Sequence, residues 1–193
     1  MIDPHFVFLA AAIGLTGTIR YAIATLRGRT SPNRVTWALW AAAPLIGFFA
    51  QLDSDVGLPA VSTLTIGVGP LLVLIASFIN RRGTVRLSAF DLGCGAVAVL
   101  SLIIWLGLDQ APLAVVFAVL ADAVGAVPTV RKAWADPQSE NTLFYVLVGV
   151  NGTITLLTLT QWVPATWAFP GYLVLLSLSM TMIITLRRRA VGS

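Results

Sequence analysis

The sequence predicts an all-α membrane protein: seven transmembrane helices, arranged as two parallel three-helix bundles joined by a linker helix. Three observations predict it. The chain is 58% apolar and only 10% charged, with a mean hydropathy of +0.90, whereas a soluble domain carries roughly 25% charged residues. Seven apolar runs follow one another, each near the length needed to cross a bilayer. The basic residues fall in short clusters between those runs, in the pattern that orients helices in a membrane.

The first apolar run, 5–26, closes on Arg27 and Arg29. Basic residues suit both a helix C-terminus and the cytoplasmic side. The stretch RGRTSPNRVTW, 27–37, then turns the chain, with Ser31 expected as N-cap and Pro32 as the first helical residue, where no backbone N–H is needed. The second run, 35–52, ends in LDSDVGLP, which separates it from the third, 57–79. NRRGTVR separates the third from the fourth, 88–108, and LDQAP the fourth from the fifth, 112–134. WADPQSENTLFY, 134–145, turns the chain by the recipe of the first turn, with Ser139 as the expected N-cap. Glu140 takes the place of Pro32 and suits the positive end of the helix dipole. WVPAT parts the sixth run, 142–161, from the seventh, 165–186, and no loop is long enough to hold a domain.

Charge tests the count. Arg20, Arg27, Arg29 and Arg34 lie at the first turn, Arg81, Arg82 and Arg86 at the third, Arg131 and Lys132 at the fifth, and Arg187, Arg188 and Arg189 in the tail. With seven spans all twelve fall on one side, and the other side holds Asp3, Asp53, Asp55 and Asp109. The N-terminus is therefore expected outside and the C-terminus in the cytoplasm. Trp37, Trp40 and Trp134 are expected in the inner aromatic belt, and Trp105, Trp162 and Trp167 in the outer one. The excess of arginine over lysine points to a bacterial cytoplasmic membrane. No basic stretch precedes the first run, so a cleaved signal peptide is not expected.

Several function classes drop out. Clusters between apolar runs do not indicate nucleic acid as a partner. The single Cys94 forms no disulfide or metal cluster and is expected to be a small buried hydrophobe. His5 has no second ligand near it. There is no Ser/His/Asp set and no phosphate-binding loop, so neither an enzyme nor a cofactor or metal is expected. The one lysine, Lys132, sits at a helix end, which excludes a retinal protein.

A shift of 108 residues aligns Gly17 with Gly125, Ser31 with Ser139, Asn33 with Asn141, Leu39 with Leu147 and Ile46 with Ile154, and Trp37 with Tyr145. The shift lays the first three runs on the last three and leaves the fourth unpaired, so both triplets run the same way. This predicts a first repeat over 1–83, a linker helix within 84–110 and a second repeat over 111–193, one of the arrangements known for transporters.

In this arrangement the chain resembles the SWEET and PQ-loop transporter superfamily, with two three-helix bundles, an inversion-linker helix and the N-terminus outside. The best local match is GAVPTVRKAWADPQSENTLFYVL, 125–147: a proline late in the first helix of a bundle, a basic stretch, a serine-containing turn, then an aromatic. Pro128 stands where the motif proline would, but Thr129 follows it in place of the family's glutamine, and Arg20 occupies the equivalent place in the first repeat. The resemblance implies hinge or gating positions at Pro44, Pro128 and Gly152. It also implies a cavity lined by helices 1, 2, 5 and 6.

Polar groups deep in a bilayer are costly and point to function. Asp122 lies at the centre of the fifth run and Asn151 at the centre of the sixth, with Gly14 and Ala43 as their first-repeat counterparts. Arg20 lies six residues from the inner end of the first run, about 9 Å deep at 1.5 Å per residue. These three are the candidate substrate-binding residues. AAIGLTGT in 11–18, Gly93 with Gly95, and Gly149 with Gly152 are expected to form helix-packing surfaces.

The function expected from this reading is transport of a sugar or another small polar metabolite, with protons as a candidate coupling ion. Two bundles would rock about a midplane site. The alternative is a non-transporting receptor, assembly factor or partner subunit built on the same scaffold. Homo-oligomerisation is left open by the sequence.

Overall fold

The computed structural model describes residues 2–53, 59–80, 87–107 and 111–191, and these form seven helices and no strand. They are α1 (Phe6–Leu26), α2 (Arg34–Asp53), α3 (Pro59–Ile79), α4 (Ala89–Leu106), α5 (Ala111–Ala135), α6 (Thr142–Thr158) and α7 (Pro164–Val191), with one 3-10 turn at Pro137–Ser139. Arg81, Arg82, Arg86, Asp55 and Asp109 lie outside the described residues.

The helix ends explain themselves locally. α1 stops at Gly28, whose φ of +69° is the left-handed conformation that glycine adopts without steric cost. Gly28 N then donates to Thr25 O and Arg29 N to Ala24 O, the Schellman pattern that satisfies the last carbonyls. From α3, Asn80 Nδ2 donates to Thr25 O and Leu26 O of the same end. At α4, Ser88 N donates to the Asp91 carboxylate and Asp91 N to Ser88 Oγ, a reciprocal capping box.

The sequence misplaces two caps by two residues. Asn33 Oδ1, not the Ser31 hydroxyl, accepts from Val35 N and Thr36 N at the start of α2, which begins beyond Pro32. Asn141 Oδ1, not Ser139, accepts from Phe144 N at the start of α6. Glu140 does not open α6 either; it is extended and buried between the 3-10 turn and the helix. α6 ends at Thr158, and α7 continues as helix through Arg187, Arg188 and Arg189.

Packing is orderly. α3 lies against both α1 and α2, and α7 lies against both α5 and α6. Across the middle, α1 meets α6 and α2 meets α5, while α4 rests on α5 and α2. Exchanging α1 with α5, α2 with α6 and α3 with α7 maps the contacts among these six helices onto themselves.

Individual residues repeat the exchange. A Cβ on Gly17 would sit 3.1 Å from Leu147 Cβ, and a Cβ on Gly125 would sit 2.9 Å from Leu39 Cδ1. Tyr21 packs edge-on to Phe144 at 5.3 Å, and Thr129 donates to Thr36 at 2.9 Å. Both pairs of contacts interchange under the 108-residue shift. At the turns themselves, Ser31 N donates to Ser139 O at 2.9 Å.

The core gathers Tyr21, Trp37, Phe144 and Tyr145 with Val73, Met180 and Ile184. Trp37 is fully buried there, not at an interfacial belt, because its ring stacks between Tyr21 and Phe144 at 4.6 and 5.2 Å. Cys94 is only half-buried, and Gly93 faces open space, so neither serves as buried packing. Outward surfaces are apolar: Leu92, Leu100 and Ile103 of α4 and Leu175, Leu178 and Met182 of α7 are exposed. Among the described residues, two helices, Phe6–Leu26 and Thr166–Ala190, are long and apolar enough to span a membrane.

Candidate functional site

Asp122 and Asn151 line one cavity. Its volume is about 120 Å³, and α1, α2, α3, α5, α6 and α7 all contribute to its wall. Small residues on α1 make room: Ala11, Gly14 and Thr18 share one helical face toward it. Pro44, Pro70, Phe169 and Leu173 supply apolar wall, so the polar groups are few and distinct.

On one side, Asp122 Oδ2 accepts a 2.7 Å hydrogen bond from the Tyr172 hydroxyl of α7. Trp40 Nε1 also approaches this carboxylate, outside hydrogen-bond geometry, and has no partner. On the other side, Asn151 Nδ2 donates to Ala10 O at 2.6 Å, tying α6 to α1. Gly14 permits this contact, since a Cβ there would sit 2.8 Å from that same nitrogen. Ser177 Oγ, buried at the cavity wall, is likewise unpartnered. Unpartnered donors in a cavity that also holds a carboxylate and an amide are what a polar solute would engage; left dry, each costs free energy.

The cavity ends on the aromatic cluster. Phe144 and Tyr145 belong to both, and Tyr21 and Trp37 pack behind them. Behind the aromatics lies a buried charge network. The Tyr21 and Tyr145 hydroxyls donate to Glu140 Oε2 at 2.8 and 3.0 Å, and Lys132 pairs with Glu140 Oε1. Lys132 also donates to Ser31 O, so the ammonium links both turns.

The other expected site residues are placed elsewhere. Pro128 is buried in α5, next to the Thr129–Thr36 hydrogen bond, and Thr36 in turn donates to Gly125 O at 2.7 Å. Gly152 packs on α7, with a Cβ there meeting Val174 Cγ2 at 3.0 Å and Pro170 O at 3.2 Å. Arg20 does not meet Asp122; it lines a separate opening at the basic ends of the helices. Among the described residues no group of His, Cys, Asp and Glu is placed to hold a metal ion.

Sequence reasoning missed Tyr172, Trp40, Ser177 and Glu140. Tyr172 and Ser177 are polar groups within an apolar run, a weaker form of the signal that singled out Asp122 and Asn151, because Ser179 and Thr181 follow close behind. Trp40 reads as an interfacial anchor until α2 is placed against α5. Comparison with protein-family models, with curated proteins and with solved structures gives no match.

Proposed function

We propose that this chain is a small-solute membrane transporter of the two-bundle type that its sequence resembles. α1–α3 and α5–α7 are its bundles, α4 links them, and all seven helices cross the bilayer. The apolar outward surfaces of α4 and α7 support that placement, because monomeric soluble proteins rarely expose such contiguous surface. The reciprocal Gly17–Leu147 and Gly125–Leu39 contacts support a two-fold relation between the bundles.

The observation that carries the reading is the cavity itself, walled by six helices and holding Asp122 and Asn151 together. At about 120 Å³ it is smaller than the roughly 300–1,000 Å³ of ordinary ligand pockets. Loading a solute therefore requires the bundles to part, and a compact polar metabolite with a few hydrogen-bonding groups fits the sparse polar wall. The cluster of Tyr21, Trp37, Phe144 and Tyr145 acts as the closed gate on the basic side, which is the cytoplasmic side by the charge distribution. Pro44 interrupts the backbone ladder of α2 at the cavity wall, where bending alters its width.

The test is uptake into proteoliposomes across a panel of labelled small polar solutes. At least one solute enters faster than into empty vesicles, and Asp122→Asn cuts that rate roughly tenfold or more. A wild-type protein that moves none of them, while capturing a membrane partner, supports the non-transporting alternative. Both polar residues lying in one half favours that alternative.

A further inference from the structure

A second cavity, of about 590 Å³, opens at the basic ends of the helices between α1 and the turn that leads into α6. Arg20, Arg27, Arg29 and Arg188 line it, together with Glu140 and Asn141. We propose that it binds the phosphate group of an anionic ligand, shared by acidic phospholipid headgroups and soluble phosphate esters. The inference stands whether or not the protein transports a solute.

Arg20 in α1 and Arg27 at its C-cap are seven residues, or two turns, apart, about 10 Å along the axis. Arg29 is brought to the same space by the left-handed turn at Gly28. Arg188 enters from α7 and is held by Pro137 O, Thr142 Oγ1 and Glu140 O at 3.1, 3.1 and 2.6 Å. The side chains of Arg20, Arg27 and Arg29 make no hydrogen bond or ion pair with any described residue, which leaves their forked donors unengaged among those residues.

Among the described residues the lining has no free counter-charge. Its one carboxylate, Glu140, has Oε1 taken by Lys132 and Oε2 by two tyrosine hydroxyls. The N-terminus of the 17-residue α6 adds positive potential at the same wall. The preference for basic residues at cytoplasmic helix ends accounts for Arg27 and Arg29. It does not account for Arg20, six residues inside α1, nor for four guanidiniums converging on one space. Guanidinium forks match phosphate oxygens two at a time. The cavity volume falls within the range of built ligand sites. Ile23 and Leu143, 40% and 41% exposed, give it an apolar flank.

The test uses the full chain with two probes. In zwitterionic micelles it is titrated calorimetrically with pyrophosphate. In phosphatidylcholine nanodiscs with and without phosphatidylglycerol, retained lipid is counted by native mass spectrometry. At least one probe binds saturably, and Arg20→Gln and Arg27→Gln each weaken it roughly tenfold, the loss of one charge-assisted contact. Arg131→Gln, whose guanidinium stacks on Phe90 at 4.9 Å, leaves binding unchanged. Binding of pyrophosphate alone assigns the site to a soluble ester, and retention of phosphatidylglycerol alone assigns it to a lipid headgroup. Arg29→Gln removes an exposed, unpartnered side chain and keeps the test open should Arg20→Gln not fold. Absence of saturable binding of either probe overturns the proposal. So does unchanged binding in Arg29→Gln, or a loss in Arg131→Gln equal to that in Arg20→Gln.

Discussion

The Tyr172 hydroxyl donates a 2.7 Å hydrogen bond to Asp122 Oδ2, joining α7 to α5 at the wall of the central cavity. Interhelical hydrogen bonds of this kind contribute about 0.6–2 kcal/mol in membrane proteins. Tyr172→Phe is expected to lower stability by that amount in a denaturant titration of the detergent-solubilised protein. Its uptake rate falls less than that of Asp122→Asn, because the carboxylate itself survives. Equal losses in the two variants would mean that the pair acts only as a structural strut.

The two symmetry-related glycines differ in what a methyl group would strike. On Gly17 it meets Leu147 Cβ, which cannot move without its backbone; on Gly125 it meets Leu39 Cδ1, which can rotate away. Gly17→Ala should therefore cost about 1–3 kcal/mol and Gly125→Ala less than about 1 kcal/mol. Adding Leu147→Ala to Gly17→Ala should recover little of the loss, because alanine keeps the Cβ that the methyl strikes, as a double-mutant cycle would measure.

Glu140 holds Lys132 in a nearly dry environment, with side-chain exposures of 0% and 9%. Glu140→Gln leaves that ammonium without its counter-charge, which costs about 3–5 kcal/mol for a buried pair. Thermal unfolding in detergent reads the drop. Lys132→Met combined with Glu140→Gln should be more stable than Glu140→Gln alone; the reverse order would show that the tyrosine hydroxyls, not the ion pair, carry the network.

Gly14→Ala sets a methyl carbon 2.8 Å from Asn151 Nδ2, displacing the amide from Ala10 O and into the cavity. The expected result is a raised KM for the transported solute with little change in helicity. Circular dichroism and uptake kinetics on one preparation check both halves of that statement.

The proposed seven crossings would put the chain termini on opposite sides. Reporter fusions at the two ends should respond from different compartments, with the C-terminal fusion cytoplasmic. Both reporters in one compartment would contradict the span count.

The helix boundaries were legible because apolar runs end where charge and turn residues begin, and the seven observed helices follow them closely. The caps were less so. Ser31 and Asn33 are both good cap residues, and only the backbone path beyond Pro32 decides between them. Trp37 and Trp40 look interfacial by their distance from Arg34, yet helix packing carries one into the core and the other to Asp122. Asp122 and Asn151 were legible as costly polar groups. Their meeting in one cavity depends on α1 and α2 crossing to α6 and α5, which no local pattern encodes. Glu140 was read as a dipole partner, because its neighbours Tyr21 and Lys132 are 119 and 8 positions away in the chain.

The backbone bond from Ser31 to Ser139, reinforced by Lys132, works as a clasp between the two halves. Swinging about it, a lever the length of the 21-residue α1, about 31 Å, shifts its far tip by about 0.5 Å for each degree of turn. The bond between Ile2 N and Leu157 O, 3.0 Å at that far tip, is stretched by the earliest degrees of such a swing. In the proposed transporter, access from the N-terminal face would be governed by a latch near the chain's start, and access from the opposite face by releasing the clasp.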